Sequence, residues 1–205
     1  MTDMGTGIIS LVIGLGNPGR EYEQTRHNAG FMATGRLLKR LSGQFETVRG
    51  FSGIYWKGRR QGRNLYVLHP MTFMNLSGKS VAAMMKTMNI KADEIMVVYD
   101  DSDLPLGRLR FRKDGSSGGH RGIESLIAEL GTQKFSRLRI GIGSEERRNQ
   151  IDFVLGEFSA AEKPLLEKVL DTAAEALILA LSRGTGAAMN EYNGMEIKLE
   201  NNETV

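Results

Sequence analysis

Hydrophobic residues in this chain follow two different spacings, and the spacing of each segment predicts its secondary structure. Short apolar, β-branched runs closed by glycine or an acid are typical of strands buried on both faces. Ile8–Leu15 and Ile95–Tyr99 are the clearest, and the second run ends at Asp100. Four further segments carry strand patterns: Gly53–Lys57, Asn64–Leu68, Arg108–Lys113 and Arg137–Ile142.

Apolar residues spaced three and four positions apart predict helices between these strands. They occupy five segments: Asn28–Leu41, Ser77–Met88, Ile123–Leu130, Ala160–Arg183 and Thr185–Tyr192. Strands interleaved with helices favour an α/β fold, which we predict as a three-layer α/β/α arrangement around a mixed, mainly parallel twisted sheet. Because 205 residues suit one core and no linker interrupts the chain, we expect one domain over 1–205, with a polar tail from about residue 194.

Composition narrows the class of protein. The chain has no cysteine, which removes disulfides, cysteine nucleophiles and thiolate metal sites, and only three histidines, which disfavours a multi-histidine metal centre. The longest apolar stretches fall far short of the roughly 20 residues that a membrane span needs. We therefore expect a cytoplasmic protein that has no membrane segment.

Positive charge is concentrated in two blocks. Residues 34–63 hold eight basic side chains and one acid, residues 106–148 hold ten basic and five acidic, and residues 150–205 hold four basic and ten acidic. This distribution is typical of a protein that presents a basic face to a polyanion. Ordinary solvated helix and strand surfaces would give the same pattern, and both interpretations stay open at this level.

The glycine-rich segment after the first strand fits the G-x-G-x-x-G pattern of dinucleotide-binding turns, at Gly14–Gly19. Two further requirements of that site are missing: an apolar helix directly after the last glycine, and an acid at a strand end about 20 residues later. The segment Arg36–Arg40 stands where that acid is needed. A tight turn explains the glycines better than a nicotinamide-dependent oxidoreductase does.

Candidate catalytic side chains lie where predicted strands end and loops begin. His27 is the preferred general base because it stands between a polar loop and a helix, whereas His69 and His120 are competitors. Asp100, at the predicted end of a strand, suits the orienting of an imidazole. No G-x-S-x-G nucleophile elbow is present, so a His–Asp pair would activate water directly.

Side-chain amides complete the candidate set, because an amide can hold a water or an oxyanion without carrying charge. Asn17 and Asn75 lie in loops predicted to face the same cleft. Asn28 stands next to a helix start, where a purely conformational role explains it better.

Seven segments of the sequence, in this order, resemble those of bacterial peptidyl-tRNA hydrolase. They are Gly14–Gly19, Tyr22, Thr25–Gly30, Pro70–Lys79, Asp100–Gly107, Gly118–His120 and Arg137–Gly143. The resemblance implies a monomeric enzyme that cleaves the ester between a peptide and the 3′ ribose of tRNA, contacts the acceptor stem and 3′ end, and needs no metal or cofactor.

The same resemblance implies roles for individual residues. His27 would be the base and Asp100 its stabilising partner, while Asn17 would contact the peptide and Asn75 would hold water and substrate. The remaining family positions are implied to contact the substrate: Met74 shapes the cleft, Tyr22 and Phe73 line the tRNA end, and Arg112 and Arg139 meet tRNA phosphates.

One position departs from the family pattern. The family usually reads Gly-Gly-His-Asn-Gly, whereas this chain has Arg121 in place of the asparagine. Arginine is always charged and accepts no hydrogen bond, so a phosphate near the tRNA 3′ end would suit it better than a water. A non-enzymatic RNA-binding protein on the same scaffold, like the related chloroplast splicing factors, is the alternative. The joint presence of His27, Asp100, Asn17 and Asn75 favours the enzyme.

Overall fold

A computed structural model describes residues 8–41, 43, 45–143 and 150–199, with residues 150 and 151 described by their backbone alone. Within this part of the chain, seven strands form one sheet: β1 (Leu11–Gly14), β2 (Glu46–Gly50), β3 (Gly53–Arg60), β4 (Arg63–Pro70), β5 (Ile95–Pro105), β6 (Leu109–Arg112) and β7 (Ser136–Gly143). Their order across the sheet is β2-β3-β4-β1-β5-β7-β6.

The strands run mainly in one direction. β4, β1, β5 and β7 pair in parallel, and β2 has the same direction because two antiparallel pairings separate it from β4. β3 and β6 run the opposite way. The predicted mixed, mainly parallel sheet is therefore confirmed, and the carboxyl ends of its four central strands meet at one edge, where ligands bind in such sheets.

Six α-helices cover the two faces of the sheet in the described residues: α1 (Ala29–Arg40), α2 (Ser77–Met88), α3 (Arg121–Leu130), α4 (Gln150–Leu155), α5 (Lys163–Arg183) and α6 (Thr185–Tyr192). One buried cluster joins Val12 and its face of the sheet to α1, α5 and α6. The other joins Leu11 and Ile13 to α2 and α3. Neighbouring residues of β1 thus serve opposite cores, as the alternation of side chains along a strand requires. This is the predicted three-layer α/β/α architecture.

The start of α1 lies directly against the sheet. A Cβ atom at Gly30 would collide with the backbone carbonyl oxygens of Val98 and Leu15, so glycine permits a contact that any other residue would block. This contact brings the turn before α1 to the carboxyl ends of β1 and β5.

Nearly all predicted elements have shifted boundaries in the structure, and two short elements were not predicted. β2 was not predicted because it is an edge strand with mostly exposed, polar residues, and α4 is only six residues long. β5 continues beyond Asp100 to Pro105, because Asp100 and Asp101 still pair with Ile140 and Gly141 of β7. The helices Ser77–Met88 and Thr185–Tyr192 have the predicted bounds.

The predicted polar tail from about residue 194 is attached to the sheet where the structure describes it. Ile197 is buried, and its N–H donates to the carbonyl oxygen of Gly107 over 2.9 Å. Residues 200–205 of that tail lie outside the described residues. In the described part of the chain, no helix combines the length and apolarity that a bilayer span demands.

Candidate active site

A histidine and an aspartate 73 positions apart in the sequence meet at the carboxyl edge of the sheet. His27 lies in a 3₁₀ turn, Arg26–Asn28, and its Nδ1 atom is 2.9 Å from Oδ1 and 3.0 Å from Oδ2 of Asp100. The Asp100 side chain is only 2 % exposed, whereas that of His27 is 11 % exposed and lines the main cleft. The structure therefore brings together the two residues that the sequence suggested as a pair.

A second imidazole contacts the same carboxylate. Nε2 of His120 is 3.1 Å from Oδ1 of Asp100. His120 is also the N-cap of α3, where its Nδ1 accepts the backbone N–H groups of Gly122 (3.1 Å) and Ile123 (3.3 Å). Because an imidazole nitrogen that accepts has no proton, the proton of neutral His120 is on Nε2 and is donated to Asp100.

The same reasoning fixes the proton on His27. An ionised carboxylate only accepts hydrogen bonds, so Nδ1 of His27 donates to Asp100 and Nε2 keeps its lone pair. Among the described residues, none is hydrogen bonded to this Nε2 atom. A neutral imidazole with a free Nε2 in a cleft is the form that a general base requires.

The charge of Asp100 depends on these two histidines. Burial alone would raise the pKa of this carboxyl group, but His120 and His27 together hold the pKa below its usual range. Asp100 therefore stays ionised at neutral pH, and its charge favours any positive charge that develops on His27.

Asn17 is fixed so that its amide can donate into the cleft. Its Oδ1 accepts the N–H of Met74 over 2.9 Å, which leaves the Nδ2 hydrogens for other partners. Asn28 holds the backbone of Asn17 from both sides: Oδ1 of Asn28 accepts from Asn17 N (2.8 Å), and Nδ2 of Asn28 donates to Asn17 O (3.0 Å). Asn28 makes no side-chain cap on α1, and both ends of its amide are used to hold this backbone rather than a water or an oxyanion.

Ten candidate residues line one cleft of about 760 Å³, whereas His69 does not: Asn17, Tyr22, His27, Phe73, Met74, Asn75, Asp100, Arg112, Arg121 and Arg139. The cleft lining includes exposed apolar side chains, since Phe73 is 62 % and Leu155 is 40 % exposed. Exposed apolar side chains on the rim of a cleft are typical of a binding surface rather than of a core.

Basic side chains also line the cleft. Arg112 and Arg121 are exposed, and Nε of Arg139 is hydrogen bonded to Oδ2 of Asp101. Arg137 has a different function: it is buried, donates to the carbonyl oxygens of Gly115 and Ser116, and therefore supports the loop before α3.

The cluster of His27, Asp100 and His120 is the one group in the described residues with the composition and spacing of a metal site, since its ligand atoms lie within 4.8 Å of one another. In the arrangement that the structure shows, one ring nitrogen of each histidine is hydrogen bonded to Asp100.

Comparisons with known proteins agree with this geometry. A family model described as peptidyl-tRNA hydrolase matches residues 11–201. The chain belongs to the peptidyl-tRNA hydrolase family. Among its relatives, the peptidyl-tRNA hydrolase of Desulfitobacterium hafniense is 46 % identical over 186 residues, which cover 90 % of this chain and all of that protein. The one from Synechococcus sp. is 44 % identical over 190 residues, which cover 92 % of this chain and 85 % of that protein.

The fold is shared as well. The crystal structure of peptidyl-tRNA hydrolase from Acinetobacter baumannii superimposes with a TM-score of 0.85 at 34 % identity, and the match covers 95 % of this chain and all of that one. The family resemblance and the α/β fold expected from the sequence are thereby confirmed.

Sequence reasoning missed several residues of this peptidyl-tRNA hydrolase site. The sequence presents His120 only as a competitor of His27, whereas the structure makes it the N-cap of α3 and a hydrogen-bond donor to Asp100. Asp101 was left without a role, and α4, which brings Val154 and Leu155 to the cleft, was not predicted.

Proposed function

We propose that this chain hydrolyses the ester between the C-terminal carboxyl group of a peptide and the 3′ ribose of tRNA, and so releases tRNA for reuse. The single observation that carries the proposal is the geometry of His27. Asp100 is hydrogen bonded to its Nδ1 atom, and its free Nε2 atom lies in a cleft lined by apolar and basic side chains. Membership of the peptidyl-tRNA hydrolase family supports the choice of substrate.

In the proposed reaction, His27 acts as general base. Its Nε2 takes a proton from water while the water oxygen attacks the ester carbonyl carbon, and Asp100 stabilises the imidazolium that results. The tetrahedral intermediate then collapses, the bond to the 3′ oxygen breaks, and His27 returns the proton to that oxygen. The products are a free peptide and a tRNA with an intact 3′ hydroxyl group.

Side-chain amides hold the reacting groups in this scheme. Asn17 donates from Nδ2, because its Oδ1 is already occupied by Met74, and so contacts the peptide or the oxyanion. Asn75 lies in the 3₁₀ turn Met74–Leu76 before α2, lines the same cleft, and holds water and substrate. An ester has a better leaving group than an amide, and this set is therefore sufficient for the reaction.

The peptide and the tRNA contact different residues of the cleft. Met74, Val154 and Leu155 receive the peptide, while Tyr22 and Phe73 offer aromatic faces on which unpaired 3′ nucleotides stack. Arg112 and Arg139 meet phosphates of the acceptor stem.

Arg121 binds a phosphate near the 3′ end in this proposal. It is the first residue of α3, where a positive charge is unfavourable to the helix dipole, and no described residue forms an ion pair or hydrogen bond with it. A cation that weakens its own helix and lines a cleft is well placed to bind an anionic substrate.

The finer features expected from the family are part of the same proposal. We place the enzyme in the cytoplasm, as a single-domain monomer over residues 1–205 that acts without metal or cofactor. The alternative, a non-enzymatic RNA-binding protein on this scaffold, has no support from the relatives, which are named hydrolases.

The direct test compares an aminoacyl-tRNA with a blocked amino group and one with a free amino group, each with and without EDTA. We expect release from the blocked substrate alone, at the same rate with and without the chelator. Equal release from both substrates, or release that requires metal, would contradict the proposal.

A further inference from the structure

Arg26, the residue before His27, is buried, and its side chain is held by three others. Its guanidinium group forms a two-point ion pair with Glu162, with Nη1–Oε1 at 3.0 Å and Nη2–Oε2 at 2.8 Å. The same group lies 4.5 Å from the ring centre of Phe153 and 4.6 Å from that of Phe158. An arginine with a paired fork and two aromatic contacts has little freedom to move.

The backbone beside Arg26 is attached to the same segment. The N–H of Arg26 donates to the carbonyl oxygen of Gly156 over 2.9 Å, and Thr25 forms an antiparallel bridge with Glu157. The turn that carries His27 is therefore joined to residues 153–158 by main-chain and side-chain contacts together.

Residues 153–158 form one side of the cleft. Val154 and Leu155 line it, whereas Phe153 and Phe158 enclose Arg26. A six-residue helix such as α4 has little stability of its own, so its position depends on these contacts. Glu162 is in turn fixed at the start of α5, where it also accepts the N–H of Ser159 over 2.8 Å.

We infer that Arg26 is a positioning residue, which holds the 153–158 segment against the cleft so that the peptide part of the substrate has an apolar wall to bind. The inference rests on the proposed function, because it assigns the wall to a peptide. Arg26 does not contact the His27–Asp100 pair through its side chain, whose partners are Glu162, Phe153 and Phe158. Its contribution is therefore to substrate binding rather than to proton transfer.

The test compares Glu162→Gln with a control on the same helix. Glu162→Gln keeps the shape of the side chain and removes the charge that holds Arg26. Glu167→Gln is the matched control, since Glu167 pairs with Arg36 on the exposed surface between α1 and α5. Each full-length protein is assayed for KM, kcat and the pH dependence of kcat with peptidyl-tRNA, and for amide hydrogen exchange of residues 153–158.

For Glu162→Gln we expect KM to rise about tenfold, kcat to stay within about twofold, and the pH profile to keep its midpoints. Exchange in residues 153–158 should become faster. The Glu167→Gln control should match the wild type in all four measurements. A merely structural role would lower the amount of active enzyme and leave KM unchanged.

Two results would overturn the inference. One is a Glu162→Gln enzyme with wild-type KM and wild-type exchange. The other is a fall in kcat with a shifted pH profile, which would mean that Arg26 acts on the charge of His27. If Glu162→Gln does not fold, Phe153→Leu removes one aromatic contact, keeps the ion pair, and should raise KM less. If the wild type hydrolyses no ester, the proposed function fails, and the exchange of residues 153–158 then decides the positioning role alone.

Discussion

Nε2 of His120 lies 3.1 Å from Oδ1 of Asp100, so this buried carboxylate receives a second N–H donor besides His27. The arrangement gives the two histidines different tasks. His120 is fixed by the start of α3 and has no lone pair to spare, whereas His27 has a free Nε2. We therefore expect only one of them to act as the base.

Replacing the base should abolish turnover without abolishing binding. For His27→Ala we expect no measurable hydrolysis of peptidyl-tRNA. We expect a tRNA affinity close to that of the wild type, since the cleft arginines Arg112, Arg121 and Arg139 are unchanged. Single-turnover assays and filter binding measure the two quantities. A mutant that kept a near-normal rate would remove His27 from its role.

Replacing the second histidine should shift the pH profile. Without His120, burial raises the pKa of Asp100 with only His27 to oppose it, so the activity should be lost at a higher pH on acidification than in the wild type. We expect His120→Ala to lower kcat by about 10- to 100-fold, the usual effect of losing one charge-assisted hydrogen bond. His120→Asn, which keeps an N–H donor and an acceptor, is the control and should lose less. An unchanged acid limb in the alanine variant would contradict this account of Asp100.

The arginines that line the cleft should determine how tRNA binding depends on salt. Arg112→Ala combined with Arg139→Ala should raise KM and make the dependence of log KM on log salt shallower, by about one unit for each phosphate that is no longer neutralised. The matched control is Arg36→Ala with Arg40→Ala, because these two arginines pair with acids of α5 away from the cleft. An unchanged salt slope in the first variant would show that Arg112 and Arg139 do not meet the tRNA backbone.

The substitution at the family's asparagine position can be reversed. Arg121→Asn should weaken binding of a substrate that carries its 3′-terminal phosphates and should leave the thermal stability of α3 unchanged or raised, because a cation leaves the helix N-terminus. The comparison uses full-length tRNA against a minimal ester without phosphates, for which the variant should match the wild type. Equal losses on both substrates would exclude a phosphate contact.

His69 should make the stability of the fold depend on pH. Its ring is stacked 4.3 Å from Phe31, its Nε2 donates to Oγ1 of Thr34 over 2.7 Å, and burial lowers its pKa from 6.5 to about 3. Between these two values the unfolded chain binds a proton that the native protein does not, so the free energy of unfolding falls on acidification, by at most about 1.4 kcal/mol per pH unit for one proton. The contribution of neutral, buried His69 to stability is therefore fully present above pH 6.5 and is lost as the pH falls from 6.5 toward 3.

Chemical denaturation at several values between about pH 7 and pH 5 measures the slope. His69→Gln, which keeps an N–H donor for Thr34, should be less stable than the wild type at neutral pH and should show a shallower slope. A variant with the wild-type slope would mean that His69 does not titrate in this way.

Most of the elements and four of the cleft residues, His27, Asp100, Asn17 and Asn75, could be predicted from the sequence by local rules. The other six cleft residues were implied by the family resemblance. Buried strands such as Ile95–Tyr99 contain runs of β-branched residues, and the loops after parallel strands share one edge of a sheet. Asn28 and His120 could not be assigned in this way, because their partners Asn17 and Asp100 are 11 and 20 positions away and the contacts are made only in the fold. The pairing of Arg26 with Glu162 spans 136 positions and has no local signal at all.

The absence of a side chain at Gly30 has a mechanical consequence. Because the peptide backbone at the start of α1 lies close to the carbonyl oxygens of Leu15 and Val98, the turn that carries His27 is held against the central strands β1 and β5. A larger residue at position 30 would push this turn away from the sheet, and the imidazole would move away from its carboxylate with it.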